Sequence, residues 1–570
     1  MDSFPSLRTL KKVEVRQNLR FPERNDEDEQ PLSPVARLFH QPGSNVYIVA
    51  IMGSKIKLQP DVIKPILIHA LLKHPRFSSL QVKDKHSGEL KWIPTKVDIE
   101  NHVIVPELDP NMDGADEFVE DYLSNLSKTN IPNSKPLWDI HLLNVKTSEA
   151  EALIIYRIHH SIGDGMSLMA LILAHSRQVS DPSVLPTLPG MNKKSNHLNC
   201  TGLGFVYILW NSLVAIFVFV LTAFFLKDTQ TPLKGPAGVE LKPRRFVRRT
   251  LNLQDFKSVK SALHCTINDV VLGVTQAGLS RYLNRRYGEL QKYNGVTDQE
   301  KEKNYLPKNI RLRATFFFNL RASTKINVLV TDEGIEEQAR MARFGNKIGY
   351  VILPFNIGIQ ADPLDYIRQA KAVIDRKKAS LEPLFTYLFL KYFIKFFGIK
   401  AAGVICHNIF FNTTLWFSNV PGPQEEVSLY GHQMAFPACS CYGQPNALMI
   451  HVISYTDKIT FVISTDEDTI PDPYSLCDDL EESLKLIKAA VVPSWSNCLL
   501  DHPAADVKLI IKQIIAALNK IGRVIDNLEN NLFILLKVSK ECRLTMSAPK
   551  CCFIRIHPSL LPNTMFRCND

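Results

Sequence analysis

The run Leu153-Ile154-Ile155-Tyr156-Arg157-Ile158 passes directly into His159-His160-Ser161-Ile162-Gly163-Asp164-Gly165. Apolar, β-branched residues of this kind read as a strand, and the Gly-Asp-Gly behind them as a turn. Gly165-Met166-Ser167-Leu168-Met169-Ala170-Leu171-Ile172-Leu173 then reads as a buried helix that begins at the turn. A fold that accepts this chain must join strand to helix through a turn, with an imidazole at the strand end. A core histidine beside an ordinary turn is the plainer alternative. The histidine pair, the spacing and the preceding strand together favour a functional turn.

At 570 residues the chain exceeds one core, and two domains of ordinary size fit it better. Short β-branched runs alternate with helical patterns on both sides of the turn. Val46–Ile51, Ile140–Val145 and Leu153–Ile158 read as strands, and Asp61–Lys73 as an amphipathic helix. Asp181–His197, with Pro182, Pro186, Pro189 and Gly190, reads as a crossover loop. From Phe246 the alternation resumes, with strands at Thr315–Phe318, Tyr350–Leu353, Leu448–Ile453 and Ile459–Ile463. Helices are expected at about 255–263, 267–287 and 474–490.

Between the halves, Leu203–Leu226 runs for 24 residues without a charge, a membrane-helix candidate. Lys193 and Lys194 precede it, and Lys227, Lys234, Arg244, Arg245, Arg248 and Arg249 follow. Basic residues at both ends leave the positive-inside signal ambiguous. Three forms fit the run: a helix lying in one leaflet, a re-entrant hairpin bent near Asn211-Ser212, or a buried core helix. Further on, Val507, Ile511, Ile514, Leu518, Ile521, Ile525, Leu528, Leu532 and Leu535 alternate spacings of four and three. They suit a self-associating coiled coil, a helix packed on the chain's own body, or a poorly ordered appendage.

Hydrophobic content of 45% and charged content of 22% describe a globular protein. A net charge of +10 suits an ordinary basic surface, or attraction to lipid or nucleotide phosphates. No arginine-rich helix with interleaved aromatics speaks for nucleic acid. The eleven cysteines lack metal-ligand spacing: Cys439-Ser440-Cys441 and Cys551-Cys552 are too close, and no Cys-x-x-Cys pair occurs. Reduced thiols facing the cytosol are the simplest account. Met1–Val15 holds no apolar h-region, so no cleavable signal peptide is expected. With no phosphate loop, nucleotide fingerprint or nucleophile elbow, no metal or bound cofactor is expected.

The His-His-x-x-x-Asp-Gly pattern resembles the signature of the CoA-dependent acyltransferase superfamily. Its doubled histidine resembles the plant-type wax ester synthase/diacylglycerol acyltransferase family. Further segments match in order: Pro31-Leu32-Ser33-Pro34, His74-Pro75-Arg76-Phe77 and Pro136-Leu137-Trp138-Asp139 before the turn. After it come Asn268-Asp269-Val270-Val271, Asn319-Leu320-Arg321, Gly345-Asn346-Lys347-Ile348-Gly349 and Ser418-Asn419-Val420-Pro421-Gly422-Pro423. The resemblance covers about residues 30–490. It implies an α/β protein of two acyltransferase-like halves with a channel between them, plus one apolar membrane-anchoring helix. The corresponding divisions are a polar lead-in at 1–30, halves at 31–200 and 228–498, the apolar segment at 201–227, and a helical tail at 499–570.

Forming an ester from an alcohol and an acyl thioester needs a base, an oxyanion donor and a dry channel. A neutral imidazole suits the first task, and the resemblance implies that His160 performs it. His159 is a second relay or a structural donor. Asp164, in a turn closed by Gly165, is expected to pair with a cation and shape the loop; the superfamily's matching residue is Arg321. Ser418 and Asn419 are candidate substrate-binding or oxyanion groups, or simply turn formers. Asn268 is expected to cap the helix that follows it.

The implied substrates are acyl-CoA, used as a co-substrate, and a long-chain alcohol or diacylglycerol. The implied location is the endoplasmic reticulum membrane, with both halves facing the cytosol; the plasma membrane is the alternative. Two rival readings remain: a soluble acyltransferase making small esters or amides, and a membrane-bound acyl-binding protein without catalysis. The first lacks its group's Asp-Phe-Gly-Trp-Gly segment here and has no need of the apolar run. His160 and Asp164, both intact, speak against the second.

Overall fold

The computed structural model describes residues 30–86, 88–109, 112–188, 202–293, 304–320 and 344–500. The described residues up to 492 form one compact unit. The polar lead-in before residue 30, Lys193, Lys194, Arg321 and the heptad segment 507–535 lie outside the described residues.

Two large sheets organise the first unit. One has seven strands in the order β5 (Val103–Ile104), β6 (Trp138–Leu143), β7 (Ala152–His159), β2 (Tyr47–Ser54), β14 (His432–Tyr442), β13 (Val427–Leu429) and β8 (Ser176–Gln178). The other has six: β11 (Ile348–Phe355), β10 (Leu312–Asn319), β12 (Leu415–Val420), β15 (Leu448–Tyr455), β16 (Lys458–Thr465) and β9 (Arg245–Asn252). A small sheet joins β1 (Gln30–Pro31), β4 (Leu90–Pro94) and β3 (Ser79–Lys83).

Every residue of β7 is buried, because it lies inside its sheet between β6 and β2 and both its faces are covered. A strand in that position needs an unbroken apolar run, not an alternating one. The sequence division does not hold strand by strand. β13 and β14 follow strands of the second sheet yet pair into the first, with Tyr442 opposite Tyr47. β2 thereby gains a partner on its open side and stops being an edge.

The helices are α1 (Pro34–Leu38), α2 (Pro60–Ala70), α3 (Ala115–Ser127), α4 (Gly165–Ala174), α5 (Gly202–Phe224), α6 (Leu253–Ala262), α7 (Ile267–Tyr293), α8 (Leu364–Lys378), α9 (Glu382–Asn412) and α10 (Pro473–Leu500). α8 and α9 occupy a stretch to which the sequence pattern assigns no element. In α9 apolar residues lie all around the helix, so no stripe marks it, and Gly398 interrupts it at φ 79° and ψ 167°. That conformation is open to glycine and costly for other residues.

α5 corrects two expectations for the apolar run. It is one continuous helix, with no bend at Asn211-Ser212, and it is not a buried core helix. Ala215, Phe219 and Ala223 form a buried stripe, while Phe205, Trp210, Phe217, Phe224 and Phe225 are exposed. Phe219 packs edge-on against Phe385 and Phe389 of α9. Polar bonds fix the helix further. The Leu381 N–H donates to Ser212 Oγ at 3.0 Å, and Asn412 Nδ2 donates to the Thr222 carbonyl at 2.7 Å. Just beyond α5, Asp228 Oδ1 accepts from Arg313 Nε of β10 at 2.6 Å, both side chains being buried.

Candidate active site

The two sheets face each other across a cavity, and strand periodicity decides which side chains reach it. On β12, Trp416, Ser418 and Val420 line it, while the alternate residues Leu415 and Phe417 enter the second sheet's core. β15 behaves the same way: Met449, His451 and Ile453 line the cavity, and Leu448, Ile450 and Val452 turn into the core. From the first sheet come Ile48, Ala50 and Met52 of β2, and Tyr156 and Ile158 of β7. α4 adds Gly165, Leu168, Met169 and Ile172. His160, Asp164 and Ser418 therefore share a mostly apolar chamber.

His160 stands one residue beyond the end of β7, and its ring stacks on Phe39 at 4.1 Å. Its Nδ1 lies 3.2 Å from Asn346 Oδ1. Asn346 Nδ2 donates to the His160 carbonyl at 2.7 Å, which fixes which end of the amide meets the ring. The Asn346 oxygen is then the acceptor, and Nδ1 of His160 carries the proton. That tautomer leaves a lone pair on Nε2. Burial lowers the His160 pKa below 6.5, with the Asp164 charge and the Asn346 bond pulling the other way. That direction favours the neutral ring at neutral pH.

His159 is fully buried, with one ring nitrogen 2.6 Å from Ser161 Oγ and the other 3.0 Å from Asn45 Oδ1. Ser161 donates to Gln81 Oε1, which also meets His40 Nε2 at 2.6 Å. This network braces the turn from beneath. Both nitrogens of His159 are engaged, and burial drives its pKa well below 6.5.

Asp164 is the N-cap of α4, accepting from the Ser167 N–H at 3.0 Å. Its other oxygen accepts from the Lys347 N–H at 3.1 Å. One carboxylate thus ties the turn to both the helix it starts and the 345–347 segment. The expected partner Arg321 lies outside the described residues. Gly165 is the first residue of α4, and a Cβ there would meet nothing within 4 Å. Close approach therefore does not account for that glycine.

Arg76 buttresses the same turn, donating to the Ile162 carbonyl at 3.0 Å. Gly345, at φ +112°, passes so close that a Cβ would fall 2.0 Å from the Arg76 guanidinium. Two segments quoted for the resemblance, His74–Phe77 and Gly345–Gly349, thus meet at the histidine turn.

Asn419 and Asn268 are not among the residues lining the cavity. They pair with each other, Asn419 Nδ2 donating to Asn268 Oδ1 at 2.6 Å. Asn268 is also not the cap of α7, which begins at Ile267. Thr266 and Asp269 form a reciprocal capping box instead, through Thr266 N–H to Asp269 Oδ2 and Asp269 N–H to Thr266 Oγ1. Phe39, Asn346, Arg76 and His451 are the site residues to which sequence reasoning gave no role. Arg76 and Asn346 do lie in segments quoted for the resemblance, and His451 in the expected strand Leu448–Ile453.

Comparison with known proteins agrees with this architecture. The wax ester synthase/diacylglycerol acyltransferase catalytic domain matches residues 59–271, and the WS/DGAT C-terminal domain matches 344–488. Wax ester synthase/diacylglycerol acyltransferase 11 of Arabidopsis thaliana is 45% identical over 478 residues, covering 82% of this chain and 96% of that protein. Number 4 of the same plant is 45% identical over 494 residues, covering 84% and 93%. The solved wax ester synthase/diacylglycerol acyltransferase from Marinobacter aquaeolei VT8 superposes with a TM-score of 0.50 at 16% identity, covering 81% of this chain and all of that one. The two-sheet α/β fold is the one that solved acyltransferase has. Among proteins of that fold, the chain belongs to the wax ester synthase/diacylglycerol acyltransferase family.

Proposed function

We propose that this acyltransferase moves a long-chain acyl group from acyl-CoA to a long-chain fatty alcohol, to diacylglycerol, or to both. The observation that carries the reading is the contact of His160 Nδ1 with Asn346, which favours a proton on Nδ1 and a lone pair on Nε2 in a ring that lines an apolar cavity. Nε2 takes the proton of the alcohol hydroxyl as its oxygen bonds to the thioester carbonyl carbon. The carbonyl oxygen becomes an oxyanion, within reach of the Ser418 side of the chamber. Collapse then breaks the C–S bond, and the imidazolium returns the proton to the CoA thiolate. Ester and free CoA balance the reactants, with no acyl-enzyme. Asp164 and Arg76 hold the turn in shape, and His159 braces it.

The surface supports a water-insoluble acceptor over the small-ester alternative. Among the described residues one helix, Gly204–Phe224, is long and apolar enough to cross a membrane by length and composition, and only 17% of its most apolar stretch is buried. α9 packs along it and exposes Tyr392, Phe396, Phe397 and Val404, with Lys391, Lys395 and Lys400 also exposed. Apolar side chains among lysines suit the interface of an anionic leaflet. Clamped as α5 is to β10 and α9, an anchor in one leaflet keeps both sheets on one side of the bilayer. The cytosolic face of the endoplasmic reticulum offers both acyl-CoA and dissolved acceptor, and the plasma membrane is the second candidate.

Expression in a host that makes no neutral lipid, with long-chain alcohol supplied, tests the substrate. Wax ester, triacylglycerol or both should accumulate. A host that stays free of both, while the protein is present and folded, contradicts the proposal.

A further inference from the structure

We infer that His451 is a second catalytic residue, which donates an imidazole N–H to the thioester carbonyl oxygen as that oxygen becomes an oxyanion. The inference deepens the proposed acyl transfer and rests on it. His451 sits on β15 in register with Ser418 on the parallel strand β12. Both residues belong to the alternation that faces the cavity, alongside Trp416, Val420, Met449 and Ile453. The two polar groups thus stand side by side in a wall whose other polar atom is the Trp416 indole nitrogen, across the chamber from the turn that carries His160.

His451 is only 7% exposed, and its Nδ1 has no hydrogen-bond partner among the described residues. Buried polar atoms nearly always find partners, because leaving one unpaired forfeits its hydration for nothing. A partner that arrives with substrate would satisfy this imidazole, and the Trp416 indole nitrogen beside it, which likewise has none among the described residues. The structural alternative, a histidine filling core space, fits poorly. Its neighbours on the same strand face are Met449 and Ile453, and a third apolar residue would fill the space without an orphaned nitrogen.

The two histidines suit different tasks. Burial, and the nearby His160, push the His451 pKa down to about 3. So weak a base cannot take a hydroxyl proton at neutral pH, which leaves that task to His160. A neutral imidazole remains a good hydrogen-bond donor, and it stays neutral when His160 becomes an imidazolium. Charge then develops on the substrate oxygen between one cation and one fixed donor, in a site that excludes water.

The test uses the purified full-length protein with a long-chain acyl-CoA and two primary alcohols, dodecanol and hexadecanol. His451→Leu removes the donor at similar volume, and His451→Asn keeps an amide donor near the Nδ1 position. His451→Leu should lower kcat by about 10²–10³-fold, by the same factor for both alcohols and with KM for each unchanged. His451→Asn should regain at least about tenfold of that loss, and both variants should melt near the wild-type temperature. His451→Met replaces the leucine variant if that one does not fold.

Near-wild-type kcat in the apolar variants overturns the inference. So does a rise in alcohol KM at unchanged kcat, which would place His451 on the acceptor, or an asparagine variant no better than leucine, which would mean packing. A wild-type enzyme that makes no ester removes the underlying reading and the inference with it. An active wild type with an equally active His451→Leu removes the inference alone.

Discussion

His160 can serve as a base only while its Nε2 lone pair is free, and Asn346 maintains that state by holding the proton on Nδ1. The pH dependence follows. Because burial holds the His160 pKa below 6.5, kcat/KM should stay flat through neutral pH and fall only on the acid side, as the ring takes a proton. An acid limb centred at or above 6.5 in the pH–rate profile would contradict that assignment. At this scale the sequence was legible where a residue's role depends on its neighbours in the chain. The histidine pair at a strand end and the carboxylate at a helix start are local patterns. Asn346 and Arg76 reach the turn from 186 and 86 residues away, and no local spacing announces them. Asn268 looks like the cap in sequence because Asx residues near a helix start compete for that position, but Thr266 with Asp269 forms the reciprocal pair.

At the scale of elements, α5 is held by a buried ion pair. Arg313 of β10 meets Asp228 and the Thr222 hydroxyl, and Thr414 also donates to Asp228 at 2.7 Å. Arg313→Met should strand the Asp228 carboxylate and destabilise the protein by about 3–5 kcal/mol. The double variant Arg313→Met with Asp228→Leu should recover much of that loss, since no lone buried charge remains. Thermal melting of the two proteins decides the point: equal melting temperatures would mean that the pair does not hold the helix. α5 was legible from its uncharged run because length and composition alone define such a helix. α9 was not, because its apolar residues surround it and Gly398 breaks its period.

For the whole molecule, the crossing of β13 and β14 into the first sheet joins the two halves more tightly than a division by residue number implies. Long-range strand pairing leaves no trace in the local pattern, so the order of halves was readable and their interleaving was not. The same interleaving bears on membrane topology, since both sheets belong to one compact unit. Glu100→Cys and Asp468→Cys, at exposed sites before and after α5, should both react with a membrane-impermeant thiol reagent on the outer face of sealed microsomes. Labelling of one position only would refute the one-sided anchor. The most direct test of the central claim is the turnover of His160→Ala. With the fold intact by thermal melting, ester formation should drop by about 10²–10⁴-fold, and His159→Ala should lose less. A folded His160→Ala enzyme that keeps near-native turnover would contradict the account.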